Sequence, residues 1–224
     1  MDHRDIERTT RELLQRVLQS PDRPEVATLM ELLEPKIICQ TLGIHYEEHP
    51  TIAHAFGPRR KIGGLLDRQT GKIAVSMEFP VETMRFTAAH EIGHWLMHPG
   101  EIMHRDMPID THTPGDSPAT RIEETQADHF AACLLMPRKL VKQAFQARFG
   151  APPVRFTEAV AFALCAHDPD SLLAVPADSL QRELALATCT HWGHYQFDSL
   201  AQHFKVSKKA MAIRLKELRL ISWP

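Results

Sequence analysis

Apolar residues in the first forty positions recur at helical spacing. Residues three, four and seven apart form one apolar side of a helix, because an α-helix has 3.6 residues per turn. This spacing predicts helices over residues 5–19, 23–34 and 35–42. Prolines, which begin or break helices, separate these segments: Pro21, Pro24 and Pro35.

From Gly43 the pattern changes to short apolar runs typical of strands. Segments 44–46 and 52–56 are candidate strands. Residues 62–66 and 72–77 flank the polar turn 67–71, which predicts a β-hairpin. Three or four short strands between helices predict a small sheet packed on a helix.

Helical spacing returns after the hairpin. Residues 85–98 predict a helix that ends before Pro99, and residues 118–136 predict another that ends before Pro137. The segment 99–116 is rich in Pro, Gly, Asp and His and predicts a loop. Beyond it the chain is helical and alanine-rich. We therefore predict an α+β protein with a first domain over 1–140 and a mainly helical domain over 141–224.

The helix predicted over 85–98 contains His90-Glu91-Ile92-Gly93-His94, an H-E-x-x-H motif. Histidines four apart lie one turn apart on the same side of a helix, so both imidazoles can reach one ion. Glu91 is then placed to hold a water molecule and accept its proton. Such a short match also occurs in surface helices. Here apolar or small neighbours favour a buried zinc-peptidase site: Phe86, Ala89, Ile92, Gly93 and Leu96.

A catalytic zinc site usually has a third protein ligand. On the helix predicted over 118–136, Glu124 and Asp128 share one side with small and apolar residues. We predict that Glu124 binds the ion and that Asp128 orients one imidazole. Glu123 lies about 100° round the helix and is predicted to be solvated. The alternative, a surface carboxylate cluster, is disfavoured by the motif that precedes it.

Two long segments resemble a known family, the ImmA/IrrE zinc metallopeptidases. Residues 85–98, RFTAAHEIGHWLMH, resemble its RFT-x-AHE-x-GH motif. Residues 124–137, ETQADHFAACLLMP, resemble its E-x-x-A-[ND]-x-F-A…LLMP motif. The resemblance covers about residues 40–140. Two long motifs in the same order make it specific.

This resemblance implies a zincin-like protease domain with one zinc ion per chain. The ligands would be His90, His94 and Glu124, with Glu91 as general base. It also implies a cytoplasmic endopeptidase of narrow specificity. Its substrate would be a helix-turn-helix repressor, whose cleavage derepresses stress-response or mobile-element genes. The segment 141–195 is longer than the linker usual in the family, so the family's mode of regulation is not carried over.

An oxyanion formed during peptide hydrolysis needs a hydrogen-bond donor. His98, His104 and Tyr195 are the candidates in this sequence. His98 follows His94 by one helical turn and is also placed to cap the C-terminal end of the helix. The sequence leaves the choice among the three open.

Residues 197–221 predict a helix, a tight turn at Lys205 and a second helix. This segment holds six basic and two acidic residues, a net charge of +4. Lys208, Lys209 and Arg214 would contact DNA or a substrate if they faced outward together. We favour packing or substrate binding over DNA binding. The reason is that the whole chain is nearly neutral, with 26 Lys and Arg against 28 Asp and Glu.

Cysteine usage and hydropathy bear on the compartment. Cys39, Cys133, Cys165 and Cys189 lie far apart, without a C-x-x-C pair. This pattern predicts reduced, mostly buried thiols in a cytoplasmic protein. No apolar run approaches the ~18 residues of a membrane-spanning helix, and residues 1–5 are unlike a signal peptide. We therefore expect no membrane partner.

Two other classes of function stay open. One is a DNA-binding regulator with a structural or degenerate zinc site, and the other is a toxin-type protein that acts by binding. The presence of Glu91, and a motif without a fourth Cys or His ligand, argue against a structural site. Replacing Glu91 distinguishes these classes, because a binding protein would keep its effect.

Overall fold

Three helical segments precede the first strand. The structure is a computed structural model that describes residues 1–21, 25, 28–52, 62–99 and 118–222 and the backbone of 103–106. Helix α1, His3–Gln19, is capped by Asp2, whose carboxylate accepts a hydrogen bond from the backbone N–H of Asp5 at 2.8 Å. A 3-10 helix, Glu31–Leu33, precedes α2, Pro35–Leu42.

The helices predicted over 5–19 and 35–42 are confirmed. The helix predicted over 23–34 is wrong in its described part, where residues 31–33 form a single 3-10 turn. Pro35 accounts for the end of this segment, since proline disfavours the helical region for the residue that precedes it. Glu34 accordingly has an extended backbone, with φ −69° and ψ 125°.

A four-stranded mixed sheet follows. Its strands are β1, His45–His49; β2, Gly64–Asp67; β3, Lys72–Ser76; and β4, Met103–Asp106. Their order is β1-β3-β2-β4, with β1 parallel to β3 and the other pairs antiparallel. The predicted hairpin is therefore confirmed as β2 and β3.

Strand β4 lies in the segment 99–116, for which the sequence predicts a loop. That prediction is wrong at residues 103–106, which pair with β2. Backbone pairing with a distant strand stabilises β4, and the local composition carries no sign of such pairing. The candidate strand 52–56 lies, apart from Ile52, outside the described residues.

Two long helices complete the first unit of the chain, Met1–Leu135. They are α3, Val81–Met97, and α4, Pro118–Leu135. Helix α3 lies against β2 and β3 and along α4, and α4 also contacts α1. A Cβ atom at Gly93 would lie 3.1 Å from Cδ1 of Phe130, so glycine permits the close approach of α3 and α4. This unit is an α+β arrangement in which a small sheet packs on a helix, as the sequence predicts.

The second unit, Met136–Pro224, is mainly helical in its described part. Its elements are α5, Arg138–Phe149; β5, Val154–Arg155; α6, Glu158–Leu164; α7, Pro169–Leu173; α8, Gln181–Thr188; β6, His191–Trp192; β7, Tyr195–Gln196; α9, Leu200–Phe204; α10, Lys208–Glu217; and β8, Ile221–Ser222. The first unit ends at Leu135, five residues before the boundary predicted at residue 140. The connection lies there because α4 ends at Leu135 and Pro137 precedes α5.

Helices α9 and α10 are joined by residues 205–207. Lys205 adopts the left-handed conformation, with φ 51° and ψ 48°, which ends α9. The side chain of Ser207 then caps α10 by accepting a hydrogen bond from the backbone N–H of Ala210 at 3.1 Å. Among the described helices, none has both the length and the apolar character that a membrane span requires.

Candidate metal centre

The two histidines of the H-E-x-x-H motif lie side by side on α3. Both side chains are buried, and the Nε2 atom of His90 lies 3.0 Å from the Nε2 atom of His94. The four-residue spacing produces this arrangement, because it places both rings on one side of the helix. Two ring nitrogens are thereby directed at one position.

Glu124 of α4 supplies a carboxylate at the same position. Its Oε2 atom lies 3.1 Å from Nε2 of His90, and its Oε1 atom lies 3.5 Å from Nε2 of His94. The Glu124 side chain is 32% exposed, whereas both histidine side chains are almost fully enclosed. The cluster is therefore accessible from the side of Glu124.

The donor atoms of this cluster suit a zinc-type cation. One ligand atom from each of the three residues lies within 4.8 Å of the others. Zinc binds imidazole nitrogen and carboxylate oxygen at about 2.0–2.2 Å, which places tetrahedral donors about 3.4 Å apart. The observed separations of 3.0, 3.1 and 3.5 Å lie close to that value. Three protein ligands leave a fourth position for water or substrate.

Asp128 contacts the imidazole of His90. Its Oδ1 atom lies 2.9 Å from Nδ1 of His90. A carboxylate accepts hydrogen bonds, so Nδ1 of His90 carries the proton and donates it. The lone pair of Nε2 is then directed at the position that Nε2 of His94 and the Glu124 carboxylate also face.

A chain of hydrogen bonds orients the second imidazole. The Gln126 side-chain amide donates to the carbonyl oxygen of Met1 at 2.8 Å, which leaves Oε1 to accept from Nε2 of His98 at 3.0 Å. In a neutral His98 ring, Nδ1 then lacks a proton and accepts from Nδ1 of His94 at 3.0 Å. Nε2 of His94 consequently carries no proton, and its lone pair can bind a metal ion.

His98 is therefore not placed to act as the oxyanion donor that the sequence analysis considered. The residue is buried, and both of its ring nitrogens are engaged, one with His94 and one with Gln126. It contacts Nδ1 of His94, the ring nitrogen opposite the one that faces the cluster. The four-residue spacing from His94 indicated that the two rings would lie together. Nothing in the sequence indicated that Gln126 contacts His98.

Glu91 is fully buried where α3 crosses β2. A Cβ atom at Gly64 of β2 would lie 2.8 Å from Oε1 of Glu91 and 2.5 Å from Cγ2 of Thr87. Both distances are shorter than real Cβ atoms show. Gly64 therefore allows the strand to lie directly against the carboxylate. Sequence reasoning missed this residue, since only the folded chain places it beside Glu91.

Arg68 holds the C-terminal end of the metal-binding helix. Its guanidinium donates to the carbonyl oxygens of His94, Trp95 and His98 and lies 5.0 Å from the centre of the Trp95 ring. A cation at this position gives further hydrogen bonds to carbonyls at the end of the helix and is favourable at the negative end of the helix dipole. The predicted turn 67–71 gave no indication of this role.

The other candidates lie elsewhere. His104 is on β4, where its backbone is in register with Leu66, and its side chain lies outside the described residues. Tyr195 belongs to the second unit and is 77% exposed. Lys208 and Lys209 are exposed at the start of α10.

Arg214 does not face outward, contrary to the arrangement considered for DNA contact. It is 1% exposed; Nε donates to the carbonyl oxygen of Met136 at 3.1 Å, and Nη1 lies 2.9 Å from Glu217. Three residues along a helix return to nearly the same side, so position 214 lies near the buried Met211. The predicted three-residue basic surface is therefore reduced to two lysines.

We expect Asp128→Ala to weaken metal binding by about 10–100-fold, because His90 loses the partner that sets its orientation. Metal affinity is measured by competition with a chelator. The matched control is Glu123→Ala, which removes a neighbouring half-buried carboxylate of α4. Equal affinity in the wild type and Asp128→Ala would reject the positioning role.

We expect Gly64→Ala to lower kcat by about 10²-fold, because its methyl group displaces the Glu91 carboxylate. The same group also meets Cγ2 of Thr87, so the midpoint of thermal unfolding should fall. Thr87→Ser removes that carbon atom. The double variant Gly64→Ala/Thr87→Ser should therefore recover stability without recovering kcat. Recovery of both would show that Glu91 is not the group disturbed.

Comparison with known protein families places this geometry in context. The model of the peptidase M78 family, described as the IrrE N-terminal-like domain, matches residues 39–150, half of the chain. A search among curated proteins found no match. The matched range contains α3 and α4, and with them the cluster of His90, His94 and Glu124. The family is metal-dependent. The chain belongs to the peptidase M78 family, with an IrrE N-terminal-like domain.

Proposed function

We propose that this protein is a zinc-dependent endopeptidase. The observation that carries the proposal is the convergence of His90, His94 and Glu124 on one position, accessible to solvent on the side of Glu124. When bound there, zinc supplies Lewis-acid chemistry that polarises a peptide carbonyl and acidifies water. Membership of a peptidase family supports this use of the cluster.

Glu91 is the proposed general base. Its carboxylate accepts a proton from the water that attacks the peptide carbonyl, and the same proton passes to the nitrogen of the leaving amine. The water oxygen bonds to the carbonyl carbon, and the carbon–nitrogen bond breaks. Burial against Gly64 of β2 restricts the positions that the carboxylate can take.

Asp128 and His98 are the proposed positioning residues. Each contacts the Nδ1 atom of one histidine, His90 and His94 respectively, and so directs the Nε2 atoms at the same point. Preorganised ligands need little rearrangement when a metal ion binds. The chain's own hydrogen bonds therefore prepare the cluster for a cation.

The proposed substrate is a helix-turn-helix transcriptional repressor in the cytoplasm. The support for this substrate is the resemblance of the two long motifs to the ImmA/IrrE family. Cleavage of such a repressor would release transcription of stress-response or mobile-element genes. A small repressor encoded beside this protein is the first substrate to test.

The test compares cells that express the wild type with cells that express Glu91→Gln. Newly formed protein N-termini are labelled chemically and identified by mass spectrometry. We expect one or a few internal cleavage sites that appear only with the wild type and fall in a repressor. A repressor purified and mixed with the zinc-loaded protein should be cut at the same bond. Identical N-termini in both cell types would reject the peptidase.

The same pair of proteins tests the DNA-binding alternative. Filter binding with promoter DNA at two salt concentrations measures the contribution of phosphate contacts. We expect weak binding, because Arg214 is buried and only Lys208 and Lys209 of the predicted basic surface are exposed. Tight binding that is equal in the wild type and Glu91→Gln would favour a regulator instead.

A further inference from the structure

We propose that Glu7, His129 and Cys133 form a second metal centre, which takes a divalent cation that accepts a thiolate ligand, such as Zn²⁺ or Co²⁺. The three residues come from two helices, Glu7 from α1 and the other two from α4. One ligand atom from each lies within 4.8 Å of the others. This centre shares no residue with the His90, His94 and Glu124 cluster.

The spacing of the donor atoms suits a tetrahedral ion. The Nε2 atom of His129 lies 3.6 Å from the Sγ atom of Cys133. Zinc bonds of about 2.1 Å to nitrogen and about 2.3 Å to sulfur at a tetrahedral angle place these two atoms about 3.6 Å apart. The four-residue spacing on α4 repeats the logic of the first histidine pair, because it places both side chains on one side of the helix.

The second centre lies on a different side of α4 from the first. At about 100° per residue, His129 lies about 140° and Cys133 about 180° round the helix from Glu124. Helix α1 packs against α4 and brings Glu7 to this side. A cation held here would therefore not compete directly for the ligands of the first centre.

The surroundings of the cluster favour a thiophilic ion over calcium or magnesium. His129 and Cys133 are buried, and Glu7 is half-buried. The ring of His3, one turn before Glu7 on α1, stacks on the His129 ring with centroids 4.0 Å apart and an interplanar angle of 25°. Imidazole and thiolate are ligands of zinc-type metals, whereas calcium and magnesium prefer oxygen.

Metal binding at this centre would couple α1 to α4. Formation of the metal–sulfur bond releases the thiol proton of Cys133 to solvent. An ion that binds the folded chain and not the unfolded chain stabilises the fold by mass action. Because α4 also carries Glu124 and Asp128, the bond would hold the helix of the first centre against the N-terminal helix.

Cobalt substitution in the full-length protein tests the proposal. A thiolate bound to Co²⁺ gives a charge-transfer band in the near ultraviolet, and the first centre, with only nitrogen and oxygen donors, gives none. We expect the band in the wild type and its loss in Cys133→Ser. The matched control is Cys39→Ser, which removes another buried thiol of the same unit. That variant should keep the band, since burial raises the pKa of Cys39 to about 12.

Two further variants keep the test decisive if Cys133→Ser fails to fold. His90→Ala/His94→Ala removes the first centre and should retain the band with about one bound Co²⁺ per chain. Glu7→Gln should retain the band but weaken Co²⁺ binding about 10-fold or more, since it loses one ligand. A wild type without the band, or a band that persists in Cys133→Ser, would overturn the proposal. Peptidase activity enters none of these readouts.

Discussion

Glu91→Gln is expected to lower kcat/KM for the cleaved protein by about 10²–10⁴-fold while bound metal stays unchanged. Glutamine has nearly the same shape as glutamate, but its amide cannot accept the proton of the attacking water. The carboxylate is fully buried beside Gly64, so another group of the described chain cannot easily take its place. Initial rates of substrate cleavage and metal analysis by mass spectrometry measure the two effects separately.

Glu82→Gln is the matched control for this prediction. Glu82 is a half-buried glutamate in the first turn of the same helix, α3. Its replacement makes the same chemical change away from the cluster and should leave the rate within about 2-fold. Full activity in Glu91→Gln would remove the proposed general base. Loss of metal together with activity would mean that Glu91 contributes to metal binding and does not serve as the general base.

His94→Ala is expected to lose the ion of the first centre and, with it, peptidase activity. The substitution leaves two of three protein ligands, and we expect metal affinity to fall by more than about 10²-fold, beyond the effect of losing an orienting partner. The measurement is best made in a Cys133→Ser background, which removes the proposed second centre. Metal content should then fall from about one ion per chain to none.

Two histidine variants provide a graded comparison. His98→Ala removes the partner of His94 Nδ1 but no ligand, so we expect a loss of affinity of about 10–100-fold. His45→Ala removes an exposed histidine of β1 and should have no effect on metal content. Retention of the ion in His94→Ala, with affinity equal to that of His45→Ala, would contradict the assigned ligand.

Local spacing accounts for what could be predicted of the first centre. His90 and His94 belong to one helix, and a four-residue separation determines that their side chains lie together. Glu124 and Asp128 were predicted from the small residues beside them on α4 and from the resemblance to the family. The hairpin β2–β3 was predicted for the same reason: its pairing depends on neighbours in the sequence.

Interactions between distant segments account for what could not be predicted. Strand β4 is stabilised by pairing with β2, and Gly64 meets Glu91 only after the sheet packs on α3. Arg68 caps a helix that ends about thirty residues later. Arg214 is a basic residue by sequence, yet the packing of its helix determines that it is buried.

Sequence alone thus determined the α+β class, the two long helices and the residue types of the catalytic candidates, because helical periodicity acts over a few residues. Only the tertiary structure decided that Gln126 contacts His98 and that Gly64 lies against Glu91. It also brought Glu7 to His129 and Cys133, more than a hundred residues away. Such contacts depend on how whole helices pack, and no local pattern contains that information.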